Sequence, residues 1–316
     1  MEILLKFFIS DFSKIAKMTT IKISEDLTSL YRQLIDKILP YIPKEGRVYT
    51  AVEGLSFYRH DNPNYSLPCV QPLGIVVALQ GRKEITLSNQ YISYETGQVL
   101  FIGANLSGLS YVPECSADKP FLGIALEFDF NQLSRLACEL ELVNNKMPKT
   151  SPNRIFSLFD ANKKLLENLL RLVDTLQEME LIQPLATLIK QEIALRIFHT
   201  HPKLMALLKD GTTSHKIIEM MTWIKQNPQA KNTLANLAKR AMMSKSSFRQ
   251  HFRTIAGISP IQYQKQIRLQ QARMLILQEK CSVTEAANLV GYESISQFSR
   301  EYKRFFGVTA KEDKLE

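Results

Sequence analysis

Two short stretches of the chain carry side chains whose chemistry suits a polyanion rather than a reaction. Residues 242–260 read MMSKSSFRQHFRTIAGISP, and residues 291–310 read GYESISQFSREYKRFFGVTA. Aligned at Ser244 and Ser294, Ser246 meets Ser296, Phe248 meets Phe298, Phe252 meets Tyr302 and Gly257 meets Gly307, which marks an internal duplication. At helical spacing, Phe248, Phe252 and Ile255 share one face of the first copy, and Phe298, Tyr302 and Phe305 one face of the second. The opposite faces present Lys245, Ser246, Arg249, Gln250 and Arg253 in one copy, and Ile295, Ser296, Ser299, Arg300, Lys303 and Arg304 in the other. Arg pairs bidentately with guanine and Gln with adenine, and the early residues of such a helix reach base edges. Ser246, Arg249, Gln250, Ile295, Ser296, Ser299 and Arg300 are therefore the candidate base readers. Lys245, Arg253, Lys303 and Arg304 are the candidate phosphate contacts, since a flexible cation neutralises backbone charge without reading sequence. The aromatic residues are read as core, not as stacking platforms.

These faces need helices to hold them. Each copy is preceded by a short Ala/Leu-rich run, LANLAKRA or VTEAANLV, then a tight connection and a serine able to cap the next helix, which is the helix-turn-helix pattern. Between the copies, PIQYQKQIRLQQARMLILQEK follows Ser259 with Pro260 at the first helical position and contains no further Gly or Pro. About twenty helical residues span about 30 Å, close to the roughly 34 Å between successive major-groove faces of a duplex. One chain can thus set both helices in adjacent grooves, each copy covering half of a site. Charge follows the same division: residues 212–316 hold 17 Lys+Arg against 8 Asp+Glu, whereas residues 1–211 hold 23 of each, so the whole net charge of +9 lies in the last third.

The first two thirds read differently. MEILLKFFIS is interrupted by Lys6 and lacks a cleavage site, so it is expected to be a short amphipathic tail, with Met18 an alternative start. ISEDLTSLYRQLIDKIL over residues 23–39 predicts one helix, stopped by Pro40 and Pro43. From Gly46 to about Asp129, β-rich runs such as GIVVALQG, KEITLSN, QVLFIGA and FLGIALEFD recur about every ten residues between turn signals, predicting an antiparallel sandwich or barrel. From Asn131 helical periodicity returns in LENLLRLVDTLQEM and PLATLIKQEIALRIF. Cys69, Cys115, Cys138 and Cys281 are scattered, with no CxxC pair, which suits a reduced cytoplasmic chain without a structural metal. No apolar run reaches the roughly 18 residues of a membrane span.

With these residues in view, residues 233–310 resemble the DNA-binding domain of the AraC/XylS family of bacterial transcription regulators. SPIQYQKQIRLQQARMLI is similar to that family's linker region and GYESISQFSREYKRFFGVT to its second helix-turn-helix. GLSFYRHDNP, VVALQGRKEITL and KPFLGIALEFD resemble the N-terminal region of one subgroup. The resemblance implies a two-domain α+β chain: a tail and helix over 1–45, a cupin-like antiparallel β-barrel acting as sensor over 46–129, a helical connector over 130–210, and over 211–316 an all-α domain of two helix-turn-helix motifs joined by a long helix. The expected partners are double-stranded DNA, RNA polymerase, a small-molecule effector and a second copy of the chain. Many cupins hold a catalytic metal through two or three His, but this segment contains only His60, so neither a cofactor nor enzyme activity is expected. Phe57, Arg59, Phe101 and Tyr111 are the candidate lining of an effector pocket. The chain departs from the family at Met242, where Gly is usual in the first turn, and at Ala310, where Pro is usual.

Overall fold

The computed structural model describes residues 25–87, 90–144, 155–277 and 279–314. The amino-terminal tail and the question of Met18 lie outside them. Helix α1 (Glu25–Ile38) buries Tyr31, Leu34 and Ile38 on one face, with Leu27 and Leu30 partly buried beside them.

Ten antiparallel strands follow: β1 (Gly46–Tyr49), β2 (Leu55–His60), β3 (Asn64–Gln71), β4 (Gly74–Gln80), β5 (Arg82–Leu87), β6 (Gln90–Glu95), β7 (Gln98–Ile102), β8 (Leu106–Val112), β9 (Phe121–Glu127) and β10 (Phe156–Asp160). They form two sheets, one ordered β1-β2-β9-β4-β7-β10 and the other β3-β8-β5-β6. The expected barrel is thus an open sandwich of two stacked sheets. Strands β4 and β9 are buried along almost their whole length, since one face meets the second sheet and the other meets helices. In β5 burial alternates, with Lys83, Ile85 and Leu87 turned inward, because the outer face of the four-stranded sheet meets water. Strand β10 pairs with β7 from Phe156↔Ile102 to Asp160↔Gln98, so the larger sheet draws a strand from the segment expected to be purely helical.

The connector otherwise consists of α2 (Phe130–Asn144), α3 (Lys163–Asp174), α4 (Ile182–Thr200) and α5 (Pro202–Leu208). Asn162 caps α3 through a bond from Leu165 N at 3.0 Å. The basic third comprises α6 (Thr213–Gln226), α7 (Leu234–Arg240), α8 (Lys245–Ala256), α9 (Pro260–Leu277), α10 (Val283–Leu289), α11 (Ile295–Phe306) and α12 (Ala310–Asp313).

Apolar burial divides these elements unevenly. One continuous core runs from α1 through both sheets, the connector and the first helix-turn-helix, as far as Tyr263 and Ile267 on α9. A second, smaller core begins two residues beyond, with Leu269, Ala272 and Ile276 on the same helix, and takes in Phe298 and Tyr302. The front of α9 also rests on β3 and β8, where buried Tyr263 donates its hydroxyl to the Asn105 carbonyl at 2.8 Å. Lys225 on α6 pairs with Glu127 at the end of β9.

Candidate nucleic-acid interface

Each reading helix is built by the same local devices. Thr233 caps α7 and Ser244 caps α8, each through its hydroxyl accepting a backbone N–H at 3.2 Å. Ser282 and Ser294 do the same for α10 and α11, at 3.1 and 3.3 Å. Both longer helices end on a left-handed glycine, Gly257 with φ 75° and Gly307 with φ 84°. Phe248 and Phe252, like Phe298 and Tyr302, are fully buried against the shorter helix of their motif and α9.

That anchoring turns the opposite faces outward. Lys245, Ser246, Arg249, Gln250 and Arg253 are all exposed on α8, as are Ser296, Arg300, Lys303 and Arg304 on α11. Ser299 is half-buried, and Ile295 packs against the second core. Among the described residues, Lys245, Arg249, Arg253, Arg300, Lys303 and Arg304 enter no ion pair, whereas several cations behind them do: Lys265 with Glu301 at 2.7 Å, Lys231 with Glu293 at 2.6 Å and Arg273 with Asp313 at 2.8 Å. The outward cations are solvated and keep their charge for an incoming polyanion.

Helix α9 sets the distance between the two faces. Its 18 residues give about 27 Å of axis. Arg268 Nε donates to Pro228 O at 2.7 Å and Gln264 Nε2 to Ala230 O at 2.8 Å, fastening the α6–α7 turn to this helix. These framing residues escape sequence reasoning because their partners are backbone carbonyls. The second motif touches the same turn. Gly291, at φ 84°, lies so close that a Cβ there would fall 2.7 Å from Gln229 Cα. Met242 occupies the equivalent turn of the first motif at φ 52°, the strain expected from the missing glycine. Ala310 opens α12, which Thr309 and Glu312 close with a reciprocal capping box.

The four candidate pocket residues do not face the space between the sheets. Phe57 contacts Tyr41 beyond α1, ring centroids 5.9 Å apart, and Arg59 donates to Pro43 O at 3.1 Å, both on the helix-covered side. Phe101 shares that side through its pairing with Ile75, while Tyr111 lies opposite Glu84 on the outer face of the smaller sheet. Side chains alternate along a strand, so the neighbouring residues point inward instead. Among the described residues, no three His, Cys, Asp or Glu side chains gather around a common point, and no helix is long and apolar enough to cross a membrane.

Comparison with known proteins agrees with this architecture. Residues 51–203 match the model of the AraC-type transcriptional regulator N-terminus, and residues 237–314 match a helix-turn-helix domain. The virulence regulon transcriptional activator VirF of Yersinia enterocolitica is 24% identical over 246 residues, 77% of this chain and 89% of VirF. The probable transcriptional regulator LumQ of Photobacterium leiognathi is 25% identical over 268 residues, 83% of this chain and 93% of LumQ. In three dimensions, apo ToxT from Vibrio cholerae superposes with a TM-score of 0.60 at 12% identity, covering 84% of this chain and 99% of ToxT. An N-terminal β-sandwich and a paired helix-turn-helix on one chain define a two-domain regulator of transcription. The chain belongs to the AraC/XylS family of transcriptional regulators.

Proposed function

We propose that the protein is a cytoplasmic, sequence-specific regulator that reads two adjacent major grooves with α8 and α11 while its N-terminal domain senses a small molecule. The observation that carries this reading is the pair of outward faces, alike in phase and free of ion pairs, on helices fixed to one rigid linker. Arg249, Gln250 and Arg300, helped by Ser246, Ser296 and Ser299, read base edges, and Ile295 offers an apolar edge to a thymine methyl. Lys245, Arg253, Lys303 and Arg304 hold phosphates.

The core shared by the sandwich and the first motif supports a sensing role, since a ligand that reshapes the sandwich strains the first reader directly. ToxT, alike in fold, is known with an unsaturated fatty acid bound. The regulator would meet RNA polymerase at the promoter and act as a homodimer on paired sites. Selection of preferred sequences from random DNA by the full chain tests the core of the reading. Two conserved blocks about 10 base pairs apart are expected. Equal retention of all sequences would leave only a non-specific DNA-coating role.

A further inference from the structure

The space between the two sheets is more polar than a sandwich core needs to be. Arg47 of β1, Ser56 and Tyr58 of β2, Cys69 and Gln71 of β3, Lys83 of β5, Tyr94 of β6 and Ser110 of β8 lie on the inner faces. Ser56 is 1% exposed, Gln71 3%, Lys83 4% and Ser110 7%. Some of these groups satisfy one another: Arg47 donates to Ser56 Oγ at 3.1 Å, and Gln71 Nε2 to the Cys69 thiol at 3.6 Å. Others do not. Gln71 Oε1 is buried without a hydrogen-bond partner among the described residues, and the buried Tyr58 hydroxyl has only the Ser56 side chain beside it.

Lys83 is the unusual member. Its Nζ sits 4.9 Å from the centroid of the Tyr58 ring and 5.6 Å from that of Phe121, and among the described residues it enters no hydrogen bond or ion pair. The charged or titratable groups around it are Arg47, whose guanidinium lies 4.7 Å from the same Tyr58 ring, His60 and the Cys69 thiol. The nearby carboxylates are committed elsewhere, Asp61 to Arg59 at 2.6 Å and Glu45 to His60 at 3.5 Å. A buried ammonium without a counter-ion favours its neutral form. Burial pushes the Lys83 amine down to about 8, while Tyr58 rises to about 12 and stays a hydroxyl donor.

We propose that this interior is a carbonyl-capture site, in which the Lys83 amine condenses with the aldehyde group of a small, largely apolar molecule. The inference rests on the reading of the N-terminal domain as a sensor and names the chemistry it senses. The nitrogen lone pair forms a C–N bond as the C=O π bond breaks, giving a carbinolamine whose oxygen receives one proton from nitrogen. Departure of that oxygen as water, with the second proton from nitrogen, leaves a C=N bond. Amine and aldehyde give imine and water, and no oxidant or reductant takes part. The Tyr58 hydroxyl, with only Ser56 beside it, supplies the hydrogen bond that such an oxygen needs, and Gln71 Oε1 can accept from the carbinolamine hydroxyl. The message has a short route: β5 pairs with β8, and β8 carries α9, the helix that joins the two readers.

The test treats the full chain with butanal, traps imines with cyanoborohydride and maps alkylated lysines by mass spectrometry. Lys83 should be alkylated about tenfold faster than an exposed lysine such as Lys231, with a rate that climbs as pH approaches 8. Tyr58→Phe, which keeps the amine and the ring, should slow capture at Lys83 several-fold and leave labelling of Lys231 unchanged. Alkylation confined to exposed lysines overturns the proposal. So does protection or thermal stabilisation by butyrate when butanal leaves no adduct, since the interior would then be an anion site. Capture at Lys83 without any change in DNA binding would preserve the chemistry and remove the sensing role. A DNA-binding response to butanal that persists in Lys83→Arg would preserve the sensor and remove this site.

Discussion

Met242 shows what a single residue sets in the first turn. Its left-handed backbone is strained for a side chain, and that side chain is 78% exposed, so it gains little packing in return. Met242→Gly should relieve strain of about 1–2 kcal/mol while adding about 0.5–1 kcal/mol of unfolded-chain freedom, a net gain of up to about 1.5 kcal/mol. Urea unfolding of the two proteins measures it, and a lower midpoint for the variant would show that the exposed methionine makes compensating contacts. The reading arginines make a different kind of prediction. Arg300→Ala and Arg249→Ala should each weaken binding to the preferred site by about 1–3 kcal/mol and relax preference at one or two base pairs, the two positions lying roughly 10 base pairs apart. Lys303→Ala should weaken all sequences alike and lower the salt slope by about 1. Titrations at several salt concentrations separate the two behaviours. If Arg300→Ala keeps the parent preference and changes only the slope, Arg300 is a backbone clamp.

Among the elements, α12 is short yet firmly held. Asp313 is 3% exposed, receives both Nε and Nη2 of Arg273 at 2.8 Å and accepts the Tyr302 hydroxyl at 2.5 Å. Asp313→Ala strands both donors and should destabilise the second motif by about 2–4 kcal/mol. Circular dichroism melts read the loss, and an unchanged melting temperature would place this triad outside the stability of the motif. The helix-turn-helix elements were legible in the sequence because capping serines, Phe spacing and terminal glycines are all local signals, written twice. The sandwich was less so. Which face of a strand looks inward depends on partners far along the chain, and Phe57, Arg59, Phe101 and Tyr111 lie on the helix-covered or outer faces, one residue out of phase with inward neighbours such as Tyr58 and Ser110. Strand β10 escaped for the same reason: FSLFD is too short to declare itself until β7, more than fifty residues earlier, is beside it. Lys83 itself gave no sign, since a lysine in a strand is ordinarily a surface residue.

For the whole molecule, the charge split and the division of the cores make separate claims. A fragment of residues 211–316 should bind DNA specifically, and residues 1–210 should bind none, because the outward cations all lie in the former. Specific retention of DNA by the N-terminal fragment in a gel shift would sink this division. The same C-terminal fragment should exchange the amide hydrogens of α8 faster than the full chain does and those of α11 much less so, since the first motif shares its core with the sandwich whereas α11 only touches β3. Equal protection of α8 in both would show the shared core to be dispensable. The contact of Gly291 with Gln229, beside the Lys231–Glu293 pair, has one more consequence. Two motifs held together through the α6–α7 turn resist swivelling about α9, so the angular offset of their readers is that of a rigid body. Inserting one base pair between the half-sites turns one block about 34° around the duplex axis relative to the other. A jointed protein would follow that rotation; this one should let go with one hand.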